Sequence, residues 1–135
     1  MKNLYTARVH VSGGRDGRAT SDDDTLNVKM AFPKALGGAG DGANPEQLFA
    51  AGFAGCFISS LKHAAQSQGV SAGAATVDAD ATLTVTDDGR YGLQVTLSVH
   101  TPGLEGETRA RVIEEAKRIC AYSNATRGNV DVTIL

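Results

Sequence analysis

The sequence predicts an α+β domain with element order ββαββαβ, built on antiparallel sheet around a long buried central helix. Three observations lead there. Five segments alternate apolar and polar residues, an Asp-Asp-Gly turn joins two of them, and two longer segments carry helical patterns. At 135 residues the chain fits one domain, spanning 1–135, with no repeat or linker to divide it.

Tyr5, Ala7, Val9 and Val11 alternate with Thr6, Arg8, His10 and Ser12, the pattern of a half-buried strand. Gly13-Gly14-Arg15-Asp16-Gly17-Arg18 reads as a turn-rich connector, and Leu26, Val28 and Met30 as a second strand ending near Pro33. After a glycine-rich loop, Asn44-Pro45-Glu46-Gln47 opens a helix. Asn44 can cap it, Pro45 suits the first position, and Gln47 can complete a capping box. The helix is predicted to run to about Gln68 and stop at Gly69. Its middle, Leu48 to Ile58, is apolar on nearly every face, which predicts burial all round and suggests cover from a second subunit.

Val77 to Val85 and Leu93 to Val99 alternate on either side of Asp87-Asp88-Gly89, a hairpin. A second helix, Glu107 to Ile119, turns Val112, Ile113, Ala116 and Ile119 inward and Arg111, Glu115 and Arg118 outward. Val130, Val132 and Ile134 mark a last strand.

The formal charge of -2, with no local Lys/Arg cluster, gives no electrostatic basis for binding nucleic acid or an anionic membrane. Met1 leads straight into a strand pattern, with no basic and then apolar leader. The apolar run Leu48 to Ile58 is short for a bilayer and is broken by Gly52 and Gly55. The expected location is the cytoplasm.

Cys56 and Cys120 are the only cysteines. Without a Cys-x-x-Cys motif, and with His10, His63 and His100 scattered, no metal site is expected. A structural disulfide is unusual in a reducing compartment, which leaves two readings: inert buried thiols or a reactive pair. Cys56 lies deep within its helix, so a reactive thiolate there needs a cation, from Arg15, Arg18, Arg127 or Lys62. Cys120 precedes the expected loop Ala121-Tyr122-Ser123-Asn124, where a thiol could move to meet a sulfenic acid. Gly37 to Gly42 lacks the Gly-Lys-Ser/Thr ending of a phosphate loop, and Ser59, Ser60 and His63 lack an acid to complete a triad.

Four segments carry a family resemblance. They are Gly13-Gly14-Arg15-Asp16-Gly17-Arg18-Ala19; Asn44 to Gly52 with Cys56-Phe57; Pro102-Gly103-Leu104; and Tyr122-Ser123-Asn124-Ala125-Thr126-Arg127-Gly128-Asn129. Together they resemble the Ohr branch of the Ohr/OsmC family, from Leu4 to Ile134. The resemblance implies that Cys56 is the peroxidatic cysteine and Cys120 the resolving one, with Arg15 the cation beside Cys56 and Glu46 the carboxylate holding it. Ala121 departs from the family's usual proline. The resemblance further implies an intertwined homodimer with no resident cofactor. It would reduce organic hydroperoxides and be recycled by a lipoyl-type dithiol, a lipoylated protein or dihydrolipoamide. Phe49, Phe53 and Phe57 would offer apolar surface for an alkyl or lipid peroxide. Competing readings are an OsmC-type peroxidase of broader range and a non-catalytic protein binding an apolar ligand.

Glu46 and Cys56 are ten residues apart on one predicted helix, roughly 15 Å along its axis. One arginine would be stretched to reach both within a chain. Two copies of the helix crossing antiparallel near Ala51-Gly52 would bring Glu46 of one subunit to Cys56 of the other. In the competing view, Ala51 and Gly52 make room for a strand of the same chain.

Overall fold

The computed structural model describes residues 1–135. The observed order is β1(Val9–Ser12), β2(Gly17–Ser21), β3(Asn27–Met30), a 3-10 turn at Lys34–Leu36, α1(Pro45–Ser67), β4(Thr76–Val85), β5(Tyr91–His100), α2(Gly106–Ile119), α3(Ala121–Thr126) and β6(Asp131–Ile134). The α+β class holds, while the expected ββαββαβ gains a strand and a helix. The chain resolves into two compact units, 1–48 and 49–135.

The first unit is an antiparallel sheet in the order β1-β2-β3. Its first strand starts at Val9 rather than Tyr5, and all four of its residues are exposed rather than half-buried. The connector after it is tighter than expected. Gly13 adopts φ +73°, Asp16 donates its amide to the Gly13 carbonyl at 3.0 Å, and a Cβ on Gly13 or Gly17 would collide with backbone across the turn. The chain therefore doubles back at once into β2. Only Ala19 of β2 is an apolar buried residue, so the strand leaves no alternation to read.

Beyond the 3-10 turn, residues 42–43 return alongside the end of β3. The Ala43 amide donates to the Lys29 carbonyl at 2.8 Å and the Ala31 amide to the Ala43 carbonyl at 2.9 Å. This delivers Asn44 to the start of α1, where the capping box forms in both directions. The Gln47 amide donates to Asn44 Oδ1 at 2.9 Å, and the Asn44 amide to Gln47 Oε1 at 3.1 Å. The helix ends as expected: Gly69 takes φ +75° and the Val70 amide reaches back to the Ala65 carbonyl at 2.9 Å.

The second unit holds the main core. β4 and β5 pair over their full length, from Thr76 opposite His100 to Val85 opposite Tyr91. β6 adds to β5 in parallel, so this sheet is mixed rather than wholly antiparallel. A strand that follows two helices has the connection length that parallel pairing needs. Val95, Leu97 and Val99 of β5 pack with Phe53, Phe57 and Leu61 of α1 and Val112, Ile113 and Ala116 of α2.

Burial of α1 is one-sided. Phe53, Phe57, Ser60, Leu61, Ala64 and Ala65 are buried, while Ala51, Gly55 and Ser59 form an exposed stripe of small residues one turn apart. By length and composition α1 is apolar enough to cross a bilayer, a point the Leu48–Ile58 run alone understates. Its apolar face is instead part of the core just described.

Candidate active site

Arg15 sits in the glycine turn of the first unit, and Glu46 in the first turn of α1. The guanidinium grips the carboxylate with both arms, Nη1 to Oε2 at 2.8 Å and Nη2 to Oε1 at 2.5 Å. The pair is largely shielded, Arg15 26% and Glu46 14% exposed. The hydrogen bond from Arg15 holds the Glu46 carboxyl below its ordinary range, against the upward push of burial. A fork of this kind fixes the direction of a long side chain as well as its charge.

In the second unit, Cys56 projects from α1 and Cys120 occupies the single residue between α2 and α3. Both are reduced, and their sulfurs lie 3.3 Å apart. Cys120 is fully buried in the core, while Cys56 is partly exposed. The expected loop after Cys120 is instead the helix α3, so Cys120 belongs to a packed junction rather than a free segment. Six residues are too few for a legible helical period, which is why the sequence reads as loop.

The thiols titrate as a pair. Burial pushes Cys56 above the ordinary thiol range. The Tyr122 amide opposes this, Cys120 adds to it through hydrogen bond and charge, and the Ala121 amide opposes it. None of these groups is a cation. Cys120 is also pushed up by burial, but hydrogen bonds from the Ser123 amide and hydroxyl, from Cys56 and from the Tyr122 amide bring it down overall. Two sulfurs in contact cannot both hold full charge, so easing the first ionisation raises the second.

Phe53 and Phe57 are sealed in the core, and Phe49 is half-buried. Phe49 meets Phe53 edge-on at 6.1 Å, and Tyr122 closes the group at 5.9 Å from Phe49 and 5.6 Å from Phe53. Tyr122 is a residue that sequence reasoning left without a role; an aromatic two positions after a cysteine was its one signal. Its hydroxyl rests on Gly52, where a Cβ would stand 2.5 Å from it. The smallness of Gly52 therefore makes room for a side chain of the same unit.

Other motifs resolve into structure. Gly38 and Gly42 pack against Phe32 and against Lys29 and Ala31, which makes the glycine loop a packing feature. Ser60 donates its hydroxyl to the Cys56 carbonyl at 3.1 Å, as a helix serine does. Arg18 is bound to Asn27 Oδ1 at 2.7 Å, and Arg127 to Asn124 Oδ1 at 2.6 Å and the Lys117 carbonyl at 2.8 Å. Lys62 is exposed on α1.

The fold and these groups define a class of small α+β proteins with two adjacent thiols, one on a central helix and one at a helix junction. The model of the family described as OsmC-like protein matches residues 38–135. The organic hydroperoxide resistance protein of Xanthomonas axonopodis pv. citri is 45% identical, over 98% of this chain and 94% of its own length. The organic hydroperoxide resistance protein OhrB of Bacillus subtilis is 40% identical, over 97% and 96%. A crystal structure from Legionella pneumophila, of an organic hydroperoxide resistance protein OsmC, superposes with a TM-score of 0.93 at 40% identity, covering 98% of this chain and 97% of that one. The chain belongs to the OsmC-like family, with organic hydroperoxide resistance proteins among its relatives.

Proposed function

We propose that the protein is a cysteine peroxidase that reduces organic hydroperoxides, alkyl or lipid, to alcohols. The observation that carries this reading is the pair of reduced thiols 3.3 Å apart, one partly open to solvent and one buried. The Cys56 thiolate attacks the outer peroxide oxygen. The O–O bond breaks, the inner oxygen takes a proton and leaves as alcohol, and Cys56 becomes a sulfenic acid. Cys120 then attacks that sulfur, hydroxide leaves as water, and a disulfide forms. Closing 3.3 Å to a bond of about 2 Å needs only a small shift.

Burial alone would leave Cys56 a poor nucleophile, so the reaction needs a cation. Arg15, ordered by Glu46, is that cation in this reading, and it can also bond the peroxide oxygens as charge develops. Phe49 and the Tyr122 ring give an apolar approach that suits an alkyl or lipid peroxide. The protein acts as a cytoplasmic homodimer with no resident cofactor, and a lipoyl-type dithiol, free or protein-bound, restores the thiols. A dithiol completes exchange within one mixed disulfide, which a monothiol cannot.

The test is consumption of cumene hydroperoxide, with mass spectrometry after one equivalent. Cys56→Ser is expected to abolish consumption. Cys120→Ser is expected to turn over once and stall with oxygen on Cys56. Full activity in either variant would sink the assignment; no consumption by the native protein would leave the non-catalytic binding reading.

A further inference from the structure

We propose that the hollow between β6 and the corner of α2 and α3 binds a short aliphatic monocarboxylate, its chain on the apolar face of β6 and its carboxylate between Arg127 and Lys117. Neither cysteine lines this hollow, nor does Phe49 or Tyr122, so it is separate from the thiol pair and does not depend on the peroxidase reading.

The floor follows from strand alternation. β6 is the outermost strand of its sheet and pairs with β5 alone. Asp131 and Thr133 are exposed on one face, while Val132 and Ile134 are half-buried on the other. Val130, just before the strand, joins them, and all three rest against the core. Over these side chains lies a hollow of about 210 Å³, walled by Ser123 and Thr126 of α3. An apolar cavity of about 150 Å³ takes benzene, so about 210 Å³ has room for roughly eight non-hydrogen atoms. Hexanoate is of that size.

The rim supplies the charge. Arg127, one of the cations considered for Cys56, lies at the end of α3 and lines this hollow instead. Its Nη1 donates to Asn124 Oδ1 at 2.6 Å and its Nη2 to the Lys117 carbonyl at 2.8 Å. Both partners are neutral, so the guanidinium is held in one direction while its charge is not neutralised by them. A guanidinium fixed in this way meets a carboxylate at little further cost in side-chain ordering. Lys117 stands on the same rim, and no carboxylate lines the hollow. Asp131 is on the opposite face of β6, and Glu114 lies in an adjoining hollow that shares Lys117 and Ile134. Glu114 accepts a bond from Lys117 Nζ at 3.1 Å, but the two side chains are 72% and 43% exposed. Water and salt weaken such a pair, and Lys117 can exchange it for an anion seated beside Arg127.

Floor and rim together select the ligand. Acetate gains the charge contact without the floor, and hexanol gains the floor without the charge. A carboxylate with a short chain gains both, and a much longer chain exceeds the volume.

The test titrates hexanoate into the full, reduced chain labelled with nitrogen-15 and follows the amide resonances. Saturable shifts are expected among residues 117–134, with a Kd of about 1 mM or lower. Acetate and hexanol are each expected to bind at least about tenfold more weakly, and added salt to weaken hexanoate. Arg127→Gln is expected to weaken hexanoate about tenfold, the scale of a hydrogen bond to a charged group. Because Arg127 also ties α3 to α2, Lys117→Gln and Val132→Thr serve as variants that leave those ties intact, each weakening hexanoate about threefold. Acetate as effective as hexanoate would mean an adventitious ion only, and hexanol as effective would mean apolar contact only; either overturns the proposal. So would shifts centred on Phe49 and Cys56, or affinity unmoved by all three substitutions. A segment of another protein laid along the open edge of β6 is the rival occupant, and it predicts no saturation by hexanoate up to about 20 mM.

Discussion

Glu46 carries a charge whose persistence can be followed by pH. Its carboxyl is held below the ordinary value of 4.5 by Arg15, so the ion pair contributes stability at all pH above that value. The contribution is lost as pH falls through the lower, folded-state value, where Glu46 takes up a proton and the grip on Arg15 loosens. The melting temperatures of native protein and Glu46→Gln are therefore expected to differ by a constant amount from pH 8 to about pH 5.5 and to converge below about pH 4.5. A gap that stays open at pH 3 would mean that charge on Glu46 is not what the residue contributes. The pairing of Arg15 with Glu46 followed from a likeness of motifs, since nothing in their spacing of 31 residues joins them. Tyr122 lay inside the same motifs without a role, because its use depends on where α3 places its ring against Phe49, Phe53 and Gly52.

Elements whose borders are written in side-chain chemistry were legible, and those closed by backbone geometry were not. Asn44, Pro45, Gln47 and Gly69 mark the ends of α1 by residue type, and the helix runs between them. The β4–β5 hairpin turns where Asp87-Asp88-Gly89 indicates, with Gly89 at φ +84°. By contrast, β2 is polar apart from Ala19, and α3 is under two turns long, so neither offers a period to detect. The parallel seat of β6 beside β5 depends on the path through two helices, which no local pattern encodes. The capping box gives this scale its test. Asn44→Ala removes the acceptor for the Gln47 amide and is expected to lower stability by about 1 kcal/mol in urea unfolding, with Asn44→Gly costing only a few tenths. Equal losses in both would point to a role for the Asn44 side chain beyond the cap.

At the scale of the whole molecule, the exposed face of α1 makes the homodimer testable. Gly55 lies mid-helix in the stripe with Ala51 and Ser59, and a Cβ placed there meets nothing within 4 Å. If that face stood in water, Gly55→Ala would stabilise the chain by roughly 0.5–1 kcal/mol through helix propensity alone. If a second copy packs on it, Gly55→Ala is expected to destabilise and Gly55→Leu to yield monomers in sedimentation velocity. Exposed Tyr5, Val9 and Val11 in the first unit add apolar surface that a second copy could also cover. A stabilised Gly55→Ala protein that remains a dimer would place the interface elsewhere.

The distance between the two sulfurs along the chain has a consequence for biosynthesis. Cys56 and Cys120 touch in the fold but are 64 residues apart in sequence. At roughly 5–20 residues per second, a ribosome makes Cys56 some 3–13 s before Cys120 exists. During that interval the nascent thiol has no resolving partner, and any sulfenic acid formed on it would be open to further, irreversible oxidation. The same wait leaves α1 without β5 and α2, the surfaces that later bury its apolar face. Synthesis under peroxide stress, the condition in which such a protein would be wanted most, is therefore when each new copy is most exposed to damage.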